Sequence, residues 1–265
     1  MRRYDLMFER LRASDEGAFG AFVMLGDPDL GTSAEILDSL VAGGADMLEV
    51  GIPFSDPVAD GPTVQAASER ALRRGATPGD CFRLLADFRA RHPDIPVGIL
   101  TYANIVLAPG RDAFYRAAGA AGVDSVLVAD VPSLEALPFV ASAEAAGVAP
   151  VLIAAPNTPR ATLERIAGLG RGYTYCVARS GVTGTERALE LGHSSLFATL
   201  AEFSAPLPIL GFGISTPDHV RSALQAGASG VISGSAIVKL IEQGRRDDIP
   251  GFIAAMKQAT ARLAG

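Results

Sequence analysis

At 265 residues, 49% hydrophobic and 20% charged, the chain has the length of one large domain and is too apolar to be disordered. A net charge of −6 with no basic cluster argues against nucleic-acid or anionic-membrane partners, and no apolar run approaches the ~20 residues of a membrane span. The first ten residues lack the apolar core of a signal peptide, and Cys81 and Cys176 read as separate buried thiols, so the protein is expected to be soluble and cytoplasmic.

In chain order, residues 4–12 predict a short amphipathic helix with Leu6, Met7 and Leu11 on one side. A rhythm of apolar strands then begins, at 18–25, 47–50, 97–101, 125–129, 151–154, 173–177, 209–211 and 230–233. Helical patterns lie between and after them, at 32–42, 63–74 with 78–91, 111–121, 134–146, 158–168, 195–203, 216–226, 236–243 and 250–263. Ser33, Thr77, Thr158 and Thr216 are the expected N-cap residues, the last three each followed by a proline at the first turn.

Strands that alternate with helices return the chain to the same end each time, which makes a parallel sheet. The strands are apolar on both faces, as they must be when both faces are covered. Eight such units without a reversal predict an α/β protein of the closed (β/α)8 barrel type. With no linker or low-complexity stretch, residues 1–265 read as a single domain. The phrases Ala-Gly-Gly-Ala-Asp (42–46), Ala-Ala-Gly-Val-Asp (120–124) and Gln-Ala-Gly-Ala-Ser (225–229) mark the amino-terminal, stabilising end of the barrel, where glycine ends each helix.

Chemistry is expected at the opposite end, where the strands finish. Residues 47–61 are central there. Glu49 lies within an apolar strand, a costly position unless the carboxylate is paired, protonated or used. One reading has it neutralised by a structural arginine; the other pairs it with Asp60, on the loop that follows, for catalysis. Tyr102, Asn104, Asp130 and Tyr175 fall at other strand ends. Gly211 to Ser215 and Gly234–Ser235 join strand ends to helix starts, where bare N–H groups hold a phosphate without a basic side chain, or simply allow tight turns. Ser180 to Gly184 reads as a mobile lid or a static turn. Phe22, Leu100, Leu127, Ile153, Phe212 and Ile232 are inward apolar candidates, with Phe212 the best placed to touch a flat ring.

Absences narrow the reaction. The only lysines, Lys239 and Lys257, are not on strand ends, which argues against a Schiff-base aldolase. His92, His193 and His219 fall on helices or a loop, so no metal site is expected. Acid–base chemistry by two carboxylates on a phosphorylated, partly apolar substrate remains.

Several stretches together resemble the tryptophan synthase α-chain family. They are 22–28 (FVMLGDP), 48–62 (LEVGIPFSDPVADGP), 124–132 (DSVLVADVP), 172–175 (GYTY), 179–184 (RSGVTG), 211–215 (GFGIS) and 233–238 (SGSAIV). The resemblance covers nearly the whole chain and implies a TIM barrel that cleaves indole-3-glycerol phosphate to indole and glyceraldehyde 3-phosphate. It further implies a β-chain partner, in an α2β2 heterotetramer, that carries pyridoxal phosphate; no cofactor is expected in this chain. By position it makes Glu49 the acid at indole C3 and the base for the side-chain hydroxyl, and makes Asp60 the acceptor for the indole N–H. Tyr175 would position Glu49 and the substrate. Gly184, Gly213, Gly234 and Ser235 would hold the phosphate, and Thr183 would close a lid onto Asp60. Phe22, Leu100, Leu127, Phe212 and Ile232 would wall the indole, and the 53–60 loop and the region of Asn104 would face the β chain. Residues 185–193 depart from the family's usual lid continuation. Three rival readings share these residues in part: another sugar-phosphate isomerase or epimerase, a non-catalytic activator of a β-type partner, and a stand-alone lyase.

Overall fold

A computed structural model describes residues 2–177 and 186–261, with the backbone alone for 186–192. Its strands are β1 Ala18–Met24, β2 Met47–Gly51, β3 Val97–Thr101, β4 Ser125–Val128, β5 Ala149–Pro150, β6 Leu152–Ala154, β7 Thr174–Val177, β8 Pro208–Gly211 and β9 Gly230–Ser233. All are paired in parallel, in the order β5-β4-β3-β2-β1-β9-β8-β7-β6. The ends of this order, β5 and β6, are two halves of the fifth expected strand, separated by Val151. The first half pairs with β4 and the second with β7, so one strand hands over between its neighbours and the sheet closes into the expected barrel. Pro150 has no N–H to donate to a ladder, and its carbonyl accepts from Arg171 N at 2.8 Å, outside any strand.

Side-chain parity along each strand separates two cores. Phe19, Ala21, Val23, Leu48, Val50, Ile99, Val126, Cys176, Leu210 and Val231 face outward and are buried under the surrounding helices. Phe22, Met24, Met47, Leu127, Tyr173, Tyr175, Ile209 and Ile232 fill the interior. Full burial of each large apolar side chain contributes about 1.5–3 kcal/mol. The helix Arg2–Ala13 closes the amino-terminal end with Tyr4, Met7, Phe8 and Leu11.

That end is also pinned by two buried carboxylates from the glycine-containing phrases. Asp46 accepts from Phe19 N at 2.9 Å and pairs with Arg10 and Lys257. Asp124 accepts from Val97 N at 2.9 Å and pairs with Arg3 and Arg89. Each ties a strand, the plug helix and a second helix or the chain's end together.

Some local expectations are revised. The helix Leu30–Ala42 is capped by Asp29, whose carboxylate accepts from Thr32 N, whereas Ser33 lies inside the helix and its hydroxyl accepts from Gly26 N at 3.0 Å. Thr158 accepts from Ala155 N and closes the preceding turn; Pro159 takes the cap position of Arg160–Leu169. Thr77 and Thr216 do cap their helices. The helix Glu186–Glu202 starts nine residues before the expected 195: residues 186–191, Glu-Arg-Ala-Leu-Glu-Leu, are all strong helix formers, and the single Gly192 does not break the helix. A five-residue helix, Ala103–Leu107, is too short to show a sequence period. The last helix, Ile249–Gln258, is shorter than expected, and Ala261 instead bridges to Glu16.

Candidate active site

Glu49 lies on the inward parity of β2, in register with Phe22 on one side and Gly98 on the other. It is 1% exposed. Its Oε1 accepts from the Tyr173 hydroxyl at 2.9 Å, and its Oε2 has no hydrogen-bond partner among the described residues. Burial pushes its carboxyl up from 4.5 to about 8; the Tyr173 bond opposes this, and the charge of Asp60 adds a smaller upward push. The group is therefore mostly protonated at neutral pH. The buried carboxylates that arginines do neutralise are elsewhere, at Asp27, Asp46 and Asp124.

Beside Glu49, the lack of a side chain at Gly98 makes room for hydroxyls. A Cβ there would stand 2.6 Å from Ser125 Oγ, 3.1 Å from Tyr4 Oη and 3.6 Å from Tyr173 Oη. Tyr4 and Ser125 are hydrogen-bonded to each other at 2.8 Å, and the Tyr4 and Tyr173 rings meet edge to face. Glu49 is thus backed by a small, ordered polar layer inside an apolar barrel.

Asp60 ends the loop after β2 and is half-buried. Burial raises its carboxyl from the usual value, while a hydrogen bond from the Tyr102 hydroxyl lowers it. The same hydroxyl accepts from Ala59 N at 3.2 Å, and the Tyr102 ring stacks on Phe54 with centroids 5.4 Å apart. Ser68 Oγ both accepts from Phe54 N and donates to Phe54 O, each at 2.8 Å. Tyr102, at the end of β3, therefore anchors the loop and holds its carboxylate.

After β8 the backbone turns sharply. Phe212 and Gly213 both have left-handed φ, 70° and 76°. For a bulky residue that conformation is strained, and such residues concentrate at functional sites. The strain leaves the Phe212 ring 46% exposed, edge-on to Tyr175 at 6.5 Å. A Cβ at Gly213 would meet nothing within 4 Å, so its backbone is open to an approaching group. After β9, Gly234 caps the helix Ser235–Glu242 without a side-chain acceptor, leaving the first N–H groups uncapped.

These parts enclose one cavity of about 300 Å3, lined by Phe22, Glu49, Asp60, Leu100, Tyr175, Phe212, Gly213, Ile232, Gly234 and Ser235 among others. Ten of the residues singled out from the sequence thus share one cleft. Leu127 and Ile153 are not among its lining residues: Leu127 is buried in the interior cluster, and Ile153, in register with Tyr175, is half-buried. Thr183 and Gly184, with the expected lid at 179–190, lie outside the residues whose side chains are described. Sequence reasoning missed three participants, Tyr173, Val64 and Lys239, and collected Tyr102 only as a strand-end residue without a role. Tyr173, just before β7, donates the hydrogen bond to Glu49, whereas Tyr175, two residues on and of the same parity, stands against Gly211 and Phe212. Tyr102 holds Asp60, Val64 lines the wall from the helix Pro62–Arg73, and Lys239 lines it from the helix Ser235–Glu242. Helical spacing of four from Ser235 was the available signal for Lys239.

The sequence profile of the family described as "Tryptophan synthase alpha chain" matches residues 8–262. The chain belongs to the tryptophan synthase alpha-chain family. A tryptophan synthase alpha chain of Shewanella amazonensis is 52% identical, over 98% of this chain and all of its own length. Another, from Vibrio vulnificus, is 49% identical over 99% of this chain and 100% of its own. The barrel is similar to the solved tryptophan synthase subunit alpha of Legionella pneumophila, with a TM-score of 0.89 and 28% identity over 98% of each chain. It is equally similar to a chain of Mycobacterium tuberculosis tryptophan synthase, with a TM-score of 0.90 and 28% identity over 98% of this chain and 99% of that one.

Membership makes the protein an enzyme subunit of tryptophan biosynthesis, a lyase for the cleavage of indole-3-glycerol phosphate. It also implies a β-chain partner. Among the described residues no helix is long and apolar enough to cross a membrane. Large exposed apolar residues do cluster in segments after β2, β3 and β4: Val58, Leu107, Leu134 and Leu137, with Val58 81% exposed.

Proposed function

We propose that Glu49 moves the protons of the cleavage and Asp60 orients the indole. The protonated Glu49 carboxyl donates to indole C3, giving an indolenine-like cation that can accept the electrons of the breaking bond. The carboxylate left behind takes the proton of the hydroxyl on the attached carbon. The bond from that carbon to C3 breaks, its electron pair returns to the ring, and the carbon becomes the aldehyde of glyceraldehyde 3-phosphate. One proton is given and one recovered, so Glu49 ends as it began. Asp60, ionised, accepts the indole N–H and stabilises positive charge on the ring as it develops.

The observation that carries this reading is Glu49 itself: a fully buried carboxyl, raised to about 8, with one oxygen held by Tyr173 and the other unpartnered beside the cavity. A structural acid would have both oxygens engaged, as Asp124 does. Phe22, Leu100, Phe212 and Ile232 supply apolar wall for the ring, and Tyr175 shapes it. The N–H groups of Gly213, Gly234 and Ser235 face the phosphate. Of the residues not described, Gly184 is assigned to the phosphate and Thr183 to the lid over Asp60 on the family resemblance alone. The exposed apolar residues after β2 to β4 suit a β-chain surface in an α2β2 assembly, in the cytoplasm, with pyridoxal phosphate held by the β chain and no cofactor in this one.

The test is indole release from indole-3-glycerol phosphate by the purified chain, with and without a β chain. Glu49→Gln should abolish it while the variant still binds glycerol 3-phosphate. A Glu49→Gln protein that keeps most of its activity would remove Glu49 from the mechanism.

A further inference from the structure

We infer that Lys239 is a substrate-binding residue of this reaction: its ammonium pairs with the anionic end of the substrate and sets which way round the substrate enters. The inference deepens the phosphate assignment made above and rests on it.

Three observations lead there. First, Lys239 lies on the cavity wall together with Ser235, four residues earlier on the helix Ser235–Glu242. Residues at that spacing are neighbours on one helix face, so the ammonium, on its flexible four-carbon stem, reaches the space in front of the uncapped N–H groups. The buried residues of that helix, Ile237, Val238 and Ile241, turn the other way, into the core. Second, Lys239 is the only cationic side chain lining the cavity among the described residues. The cavity otherwise offers Glu49 and Asp60, which can only repel an anion when ionised, and the whole chain carries a net charge of −6. Third, the lysine is not engaged elsewhere. The acid nearest along its helix, Glu242, is held by Arg70 at 3.2 Å, and Arg70 is itself fixed by two bonds to the buried Asp27, at 2.8 and 2.9 Å. Lys239 makes no ion pair among the described residues, whereas Lys257, the only other lysine of the chain, is taken up by Glu16 and Asp46.

Arg70 thus spares Lys239 by occupying Glu242. With Asp60 contributed by the loop after β2 and Lys239 by the helix after β9, the cleft carries one group suited to an N–H donor and one suited to an anion. A substrate with a heteroaromatic N–H at one end and a phosphate at the other matches that polarity in one orientation only. Because Lys239 is exposed, its attraction is screened by salt, and its effect falls on capture of the substrate rather than on the bond-breaking step.

The experiment compares wild type, Lys239→Gln, Lys239→Arg and Gly213→Asp in steady-state indole production at low and high ionic strength. Glycerol 3-phosphate and indole are titrated separately into each protein by calorimetry. Lys239→Gln should raise KM about three- to tenfold, the range of an exposed, charge-assisted contact, with a much smaller change in kcat. It should weaken glycerol 3-phosphate but not indole, and flatten the salt dependence of kcat/KM; Lys239→Arg should restore most of the loss. Unchanged KM, glycerol 3-phosphate affinity and salt dependence in Lys239→Gln, with Gly213→Asp impaired in all three, would overturn the lysine's role and leave the phosphate site standing. If Gly213→Asp bound glycerol 3-phosphate normally, the phosphate assignment itself would fall, whatever Lys239→Gln did.

Discussion

Glu49 places a pH-dependent strain on the folded protein, and Glu49→Gln should relieve it. The carboxyl moves from 4.5 to about 8 on folding, chiefly through burial, which corresponds to about 5 kcal/mol of penalty on its ionised form. Its folded value lies above its unfolded value, so the folded state binds the proton more tightly. Stability is intact below about pH 4.5, declines by ~1.4 kcal/mol per pH unit above it, and levels off once pH exceeds about 8. Gln keeps the shape and cannot ionise. Wild type and Glu49→Gln should therefore be nearly equal in stability at pH 4.5, differ by about 3 kcal/mol at pH 7, and differ by about 5 kcal/mol at pH 9, with Glu49→Gln the more stable. Urea unfolding of both proteins between pH 4.5 and 9 measures this difference directly. Stability profiles that run parallel across that range would refute the assignment of the raised value to Glu49 and, with it, the claim that the donor is protonated at neutral pH.

Tyr173→Phe removes the one hydrogen bond that lowers the Glu49 value, so the basic limb of the kcat/KM profile should move to higher pH, and kcat should fall about tenfold from lost positioning. An unmoved basic limb would show that Tyr173 is only packing. Gly211→Ala would put a Cβ 2.2 Å from the Tyr175 hydroxyl oxygen, which should cost about 1–3 kcal/mol and most of the activity. In a double-mutant cycle followed by thermal melts, Gly211→Ala should cost less in a Tyr175→Ala background than in wild type, and equal costs in both would refute the clash. Asp124→Ala leaves the half-buried Arg89 without its ion partner at the far end of the barrel, so it should destabilise by about 3–5 kcal/mol with kcat unchanged at permissive temperature. A loss under 1 kcal/mol in denaturant titration would contradict that account.

What the sequence determined by itself was the architecture and the end of it where the candidate site gathers. Strands apolar on both faces, each returned by a helix, leave few arrangements other than a parallel barrel, and the chemistry of such a barrel lies where its strands finish. Glu49 was legible because an acid in an apolar strand violates the local pattern, and Asp60 because it follows on a proline- and aspartate-rich loop. Depth, phase and handover were not legible. Tyr173 and Tyr175 share one parity, and only the stagger of β7 against its neighbours decides that Tyr173 meets Glu49 while Tyr175 meets Gly211 and Phe212. Leu127 has the right parity too and lies in register with Leu100, yet it is covered within the interior cluster and only Leu100 lines the cavity. The break at Val151 reflects two neighbours pulling one strand, which no local pattern records. Lys239 looked irrelevant from its position on a helix, until the packing of that helix against the strand ends turned one of its faces toward the cleft. Local patterns specify which face a side chain takes; the three-dimensional closure of the barrel specifies which other side chains it meets there.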